Sequence, residues 1–278
     1  MVKIVTDSLS DISPEWAKEL GVTVVPLNVH FGNDVYKDAV ELPPEEFYKK
    51  LTSSGVHPTT SAPPPGVFAE LFTNLAKETD EIIAIMASDK ISAVQESAVQ
   101  GKALVKADCR IEVINTRWLV GAMAILVLKA VEAAKKGANL DTITAMVKKD
   151  MPKLHALMIF DTLEYLKKGG RIGKAQALLG SLLKVHPIVT LKDGEVHPFG
   201  RARNRAQAID TLVNFVKSFP KIEMMVVEHA TTPDELEVLI GRLDGVVPKE
   251  RLYRSRVGSV IGTHTGPHVL ATCFLEGE

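Results

Sequence analysis

The 278-residue sequence has little of what marks secreted, metal-clustered or nucleic-acid-coating proteins. It holds two cysteines, Cys109 and Cys273, too few for a metal cluster or a disulfide framework. Each lies in an apolar run, where a buried thiol is expected. Aromatic residues make up 5% of the chain, and 33 Lys and Arg nearly balance 34 Asp and Glu. The net charge of −1 argues against blanket phosphate neutralisation, so no nucleic-acid partner is expected. The apolar run at residues 118–128 stops at Lys129, short of the ~20 residues of a bilayer span, so no integral membrane segment is expected. Residues 1–11 carry Asp7 and Asp11 and no apolar signal region, and no N-x-[ST] sequon occurs. The expectation is a cytoplasmic protein.

Familiar enzyme signatures are missing as well. G-x-S-x-G and H-E-x-x-H do not occur, which disfavours nucleophile-elbow hydrolases and zincins. Gly173-Lys174-Ala175 has a superficial P-loop look, but Ala175 replaces the metal-binding hydroxyl and Lys168 stands where the first Gly belongs. His264 and His268 have i, i+4 spacing, yet Gly266 and Pro267 interrupt the segment and no third ligand is near. Neither a metal nor a cofactor is expected.

What is present is α/β periodicity. Residues 2–6, 22–29, 81–87, 110–115, 154–159, 187–191, 222–228 and 252–257 read as strands. Helical patterns lie between them, the first opened by Ser13-Pro14-Glu15 as a cap followed by Pro at the first helical position. Gly32-Asn33-Asp34 and Asp193-Gly194 suit hairpin turns. Alternation of this kind predicts two α/β domains with mainly parallel sheets, divided near Asp150-Met151-Pro152 into residues 1–152 and 153–278.

Four segments bring hydroxyl, Gly and Pro residues to expected strand ends: Thr6-Asp7-Ser8, residues 57–66, residues 88–93 and residues 262–267. Ligands bind beyond the carboxyl ends of strands in open α/β sheets. Hydroxyls with an imidazole, and with Lys90 as the single cationic side chain in these four segments, suit a carboxylate better than a doubly charged phosphate. Charge is also unevenly placed. Residues 166–205 hold nine basic and two acidic residues, +7, leaving −8 for the rest. Such a belt suits an acidic partner or a phosphate. Arg201, Arg203 and Arg205 alternate, which on a strand would put all three on one side.

The segments 161–173 (DTLEYLKKGGRIG) and 261–267 (IGTHTGP), with Val5-Thr6-Asp7-Ser8 and residues 182–200, resemble the DegV family of bacterial lipid-binding proteins. The resemblance covers essentially the whole chain. It implies two α/β domains enclosing one long-chain fatty acid at their interface. It also implies a role as acyl carrier for a separate fatty acid kinase, which makes an acyl-phosphate for phospholipid synthesis. Thr60, Ser61, Ser92 and His264 match the family's carboxylate-binding positions, and Thr263 is placed with them. Arg171 matches an arginine of the headgroup end or the kinase-docking face, and Arg201 and Arg203 are grouped with it. Ala62, Ala93 and His268 depart from the family pattern but leave the hydroxyls and His264 in place. Leu126, Leu178 and Leu182 are expected in the core. The alternative is an enzyme on a small carbonyl compound with His264 as base or nucleophile and Ser92 or Thr263 beside it. A carrier would have no catalytic machinery of its own.

Overall fold

The apolar runs of this chain are cut by prolines and glycines, and the cuts decide which sheet each piece joins. A computed structural model describes residues 1–179 and 185–278, so Leu182 and Lys184 lie outside the described residues. In chain order the first half has β1 (Lys3–Asp7), α1 (Pro14–Leu20), β2 (Thr23–Val25), β3 (Asn28–Phe31), β4 (Asp34–Lys37) and α2 (Pro44–Ser53). It continues with β5 (Thr59–Ser61), α3 (Pro65–Leu75), β6 (Glu81–Met86), α4 (Val94–Leu104), β7 (Arg110–Asn115), α5 (Val120–Lys135) and α6 (Leu140–Asp150). The second half has β8 (Leu154–Ile159), α7 (Glu164–Lys168), β9 (His186–Lys192), β10 (Glu195–Ala202) and α8 (Arg205–Lys217). It closes with β11 (Ile222–His229), α9 (Pro233–Arg242), β12 (Leu252–Arg256), α10 (Ser259–Thr265) and β13 (Leu270–Glu276).

Strands β2-β1-β6-β7 form a parallel sheet in that order. Its centre, β6, is buried on both faces from Ile82 to Met86, the continuous apolar pattern of a strand covered on two sides. The expected strand over 22–29 divides at Pro26, which has no N–H for a ladder. Its first part is β2; its second, β3, pairs antiparallel with β4 and β5 in a small separate sheet. Gly32 makes the β3–β4 turn at φ 62°, as a hairpin requires.

The six-stranded sheet, β10-β9-β8-β13-β11-β12, departs from the parallel pattern. Only β11 and β12 run parallel; β13 returns between β8 and β11 and pairs antiparallel with both. The β9–β10 hairpin turns on Asp193 and Gly194, at φ 53° and 84°.

Helix α5 joins the halves. It is apolar nearly all round, which marks a core helix. An added Cβ at Gly121 would stand 2.7 Å from the Val226 Cβ of β11, so the absence of a side chain there sets how closely α5 meets the second sheet. Leu126 is fully buried, and Leu178 is partly buried against the same core. Cys273 is buried and Cys109 half-buried, both as free thiols.

Candidate functional site

Between the halves lies a cavity of about 230 Å³ with mostly apolar walls. Leu9, Leu27 and Leu119 come from the first half; Phe160, Val189 and Leu191 come from the second. The polar lining consists of Thr60, Ser61, Ser92, Arg171, His264 and Thr265.

These polar groups adjoin one another. Thr60 is central in the short strand β5, and its Oγ1 lies 2.9 Å from His264 Nε2. His264 sits at the C-terminal end of α10, a segment expected from sequence to be a strand-end loop. Gly262 and Gly266 gave it that look, yet each has a structural reason within a helix and its cap. At Gly262 a Cβ would stand 2.6 Å from Phe47 and Tyr48 of α2. Gly266 ends the helix at φ 77° against the Tyr165 ring. Gly169 meets the imidazole itself: a Cβ there would come 2.0 Å from His264 Nδ1, which has no hydrogen-bond partner among the described residues.

Arg171 follows that glycine pair and turns toward the cavity. Its Nη1 donates to Gly169 O at 2.7 Å and its Nε to Ile91 O at 3.2 Å. Among the described residues it forms no ion pair with a carboxylate. Ile91 leads to Ser92, whose Oγ accepts from Val94 N at 3.3 Å. Thr60, His264, Gly169, Arg171, Ile91 and Ser92 thus form one linked arc.

Burial pushes the His264 pKa down to about 4, helped by the Arg171 guanidinium and the His57 imidazole. At neutral pH the ring is uncharged. An incoming carboxylate would meet a full positive charge on Arg171, hydroxyl donors, and an imidazole able to donate one hydrogen bond in the appropriate tautomer.

Ser61 lines the cavity but is already engaged. His30 Nε2 lies 2.8 Å from its Oγ, and Asn28 Nδ2 donates to that Oγ at 3.4 Å. Sequence reasoning missed Asn28 and His30. Their i, i+2 spacing on β3 puts both on the face that meets Ser61, but β5 has only three residues and carries no readable strand pattern. Thr265 was also missed.

Thr263 does not join the site. It is fully buried and donates to Ser259 O one turn back at 3.0 Å, because the helix turns it away from the cavity. His264 and His268 share no helical face, since α10 ends at Thr265 and His268 is exposed beyond it. Asp7 serves the fold, with Oδ1 accepting from Leu9 N and Oδ2 from Ala87 N.

The three alternating arginines do not share a strand face either. Strand β10 stops at Ala202, and Asn204 caps α8 by accepting from Gln207 N. Arg205 is therefore helical and pairs with Glu235 at 2.8 Å and Asp161 at 3.4 Å. Arg201 and Arg203 are exposed, Arg201 donating to Ala177 O at 3.2 Å. Lys167, Lys168 and Lys174 are exposed on the same stretch of chain as Arg171.

A model of an uncharacterised protein family, DegV, matches residues 1–277. The chain belongs to the DegV family. It is 37% identical to a DegV domain-containing protein of Caldanaerobacter subterraneus over 279 aligned positions, 99% of each chain. A solved DegV-family structure from Thermus thermophilus, described by its fatty acid binding, is similar at TM-score 0.90, with 31% identity and 99% of each chain covered. The structure of DegV of Bacillus subtilis, described as a fatty acid binding protein, is similar at TM-score 0.88, with 30% identity and 99% of each covered. The α/β class expected from alternating strands and helices is that of these DegV relatives. Among the described residues of this DegV chain, no helix is long and apolar enough to cross a membrane.

Proposed function

We propose that this protein binds one long-chain fatty acid in the interdomain cavity, with the carboxylate against Thr60, Ser92, Arg171 and His264 and the acyl chain along the apolar walls. The observation that carries this reading is an uncompensated guanidinium beside a buried neutral imidazole at one side of a mainly apolar cavity. A charge in such surroundings calls for an ion of opposite sign. A carboxylate completes the set, and the chain supplies the affinity. At ~0.8 kcal/mol per methylene, about 15 methylenes release roughly 12 kcal/mol before the costs of binding. Ser61 takes part through its hydroxyl proton only when His30 donates to it rather than accepts.

The protein acts in this reading as a cytoplasmic carrier without catalytic machinery, presenting the acid to a separate kinase for acyl-phosphate formation. The family relatives support the ligand class; the exposed Lys167, Lys168, Lys174, Arg201 and Arg203 suit docking to an acidic or phosphate-bearing partner. An enzyme built on His264 fits less well. A general base needs a pKa near the working pH and a group that orients its other nitrogen. Here the pKa is pushed to about 4 and Nδ1 faces Gly169 without a partner. Mass spectrometry of organic extracts from purified protein tests the proposal. A long-chain acid at near one-to-one ratio is expected; repeated recovery of none, with no binding on titration, overturns it.

A further inference from the structure

Helix α10 is seven residues long, too short to hold itself by its own hydrogen bonds. Its residues come from the second half of the chain, yet its first turn is held by the first half. Asp11 Oδ1 accepts from Gly258 N and Asp38 Oδ1 from Ser259 N, each at 2.9 Å. Ser259 Oγ donates to Leu42 O at 2.9 Å, and Tyr48 OH donates to Val257 O at 3.1 Å. Ser259 is fully buried, so its amide has no water to fall back on. Asp11 and Asp38 are 7% and 2% exposed. Their negative partial or full charge also favours the N-terminal end of a helix.

The opposite end of the same helix carries His264. Ser259 and His264 are five residue steps apart, roughly 7–8 Å at the helical rise. Neither aspartate touches the cavity arc directly. Midway, the contact of Gly262 with Phe47 and Tyr48 allows no closer approach. A shift at the first turn is therefore passed along a short stiff rod to the imidazole.

We propose that Asp11 and Asp38 are positioning residues of the fatty-acid site: by holding the first turn of α10 they set His264 against Thr60. The role is that of an acceptor of fixed reach, not of a charge. Burial pushes Asp11 well above the usual carboxylate range, with Glu228, Asp38 and Asp7 adding to it, and pushes Asp38 up to about 6. Protonated or ionised, a carboxyl offers an oxygen to a backbone N–H, so the hydrogen bond does not depend on the charge. This inference rests on His264 holding the carboxylate, and the test separates the two.

The full chain is prepared as Asp38→Ala, Asp38→Asn, Asp11→Ala, Tyr48→Phe and His264→Ala. Two readouts are taken: the imidazole resonances of His264 by NMR, and oleate affinity by calorimetry. Asp38→Ala is expected to move the His264 resonances and to weaken oleate binding at least tenfold, while Asp38→Asn, which keeps the acceptor oxygen, restores both. Parent-like resonances in Asp38→Ala overturn the inference, and so do equal losses in the Ala and Asn variants. Should Asp38→Ala fail to fold, Asp11→Ala and Tyr48→Phe decide on the same readouts, and parent-like resonances in both overturn it. His264→Ala tests the underlying reading alone. If it binds oleate like the parent, the carboxylate assignment fails, whereas the positioning inference still stands or falls on the resonances.

Discussion

The two ends of α10 lie in polar clusters of opposite character. At the His264 end, Arg171 and a neutral imidazole face a cavity that, among the described residues, has no carboxylate in its lining. At the Ser259 end, Asp7, Asp11, Asp38 and Glu228 are buried together, and burial raises the pKa of each. One cluster lacks negative charge; the other holds too much of it. The acidic cluster settles its excess internally, through protonation and backbone N–H donors. The cationic side has no such internal remedy, because an arginine does not give up its proton. That asymmetry is the reason the proposed reading puts the ligand at the His264 end.

The largest effect expected on this contrast comes from the ligand. Octanoate keeps the carboxylate but lacks about ten methylenes of oleate, removing roughly 8 kcal/mol of gross apolar burial. Competition titration should place its Kd many orders of magnitude above that of oleate. Comparable affinities would mean that the apolar walls do not hold the chain.

Next in size is the loss of polar partners. Thr60→Val and Ser92→Ala should each weaken oleate binding by about 1–3 kcal/mol, with a smaller change in unfolding free energy. Arg171→Ala should lower ligand retention as well as acyl-phosphate formation with a cognate kinase, since its guanidinium lines the cavity and does not stand clear of it. Parent-like oleate binding in all three variants would remove the arc from the site.

The acidic end predicts a pH effect on stability. Asp38, Asp7 and Glu228 are raised to about 6, 7 and 8, above the values of an unfolded chain near 4. The folded protein thus keeps protons that the unfolded chain releases. The stabilisation is fully present below about pH 4, falls progressively as the pH rises from there, and is gone once the pH has passed through the folded values of about 6 to 8. Melting curves of the ligand-free protein should show a falling Tm over that window. Glu228→Gln should flatten the fall, and an unchanged slope in that variant would take Glu228 out of the cluster's titration.

Several elements were legible because local and tertiary demands agree. Ser13 caps α1 and Pro14 opens it, as the local chemistry requires. The double-sided burial of β6 and the all-round burial of α5 are visible as uninterrupted apolar runs. Other elements were hidden by tertiary causes. Pro65 opens α3 where the proline run reads as a rigid loop, and the glycines of α10 are required by neighbours distant in sequence. The antiparallel pairing of β13 with β8 and β11 is a matter of chain return, which no local pattern encodes. Of the polar residues that line the cavity, Thr60, Ser61, Ser92, Arg171 and His264 were picked out by motif. Asn28 and His30 were not, because their partner strand is too short to announce itself.

The smallest effect belongs to the exposed charges. Arg203→Ala and Lys168→Ala should leave both melting and oleate binding near the parent's. Only acyl-phosphate formation with the proposed kinase partner should fall, and unimpaired turnover would leave these residues as solvated charge.

The central claim is that a carboxylate, with its negative charge, completes the arc of Thr60, Ser92, Arg171 and His264. Calorimetric titration of ligand-free protein with oleate and with methyl oleate tests it most directly, since the two share a chain and differ in charge. The account predicts one-to-one binding of oleate and at least tenfold weaker binding of the ester. Equal affinity for the two would contradict it.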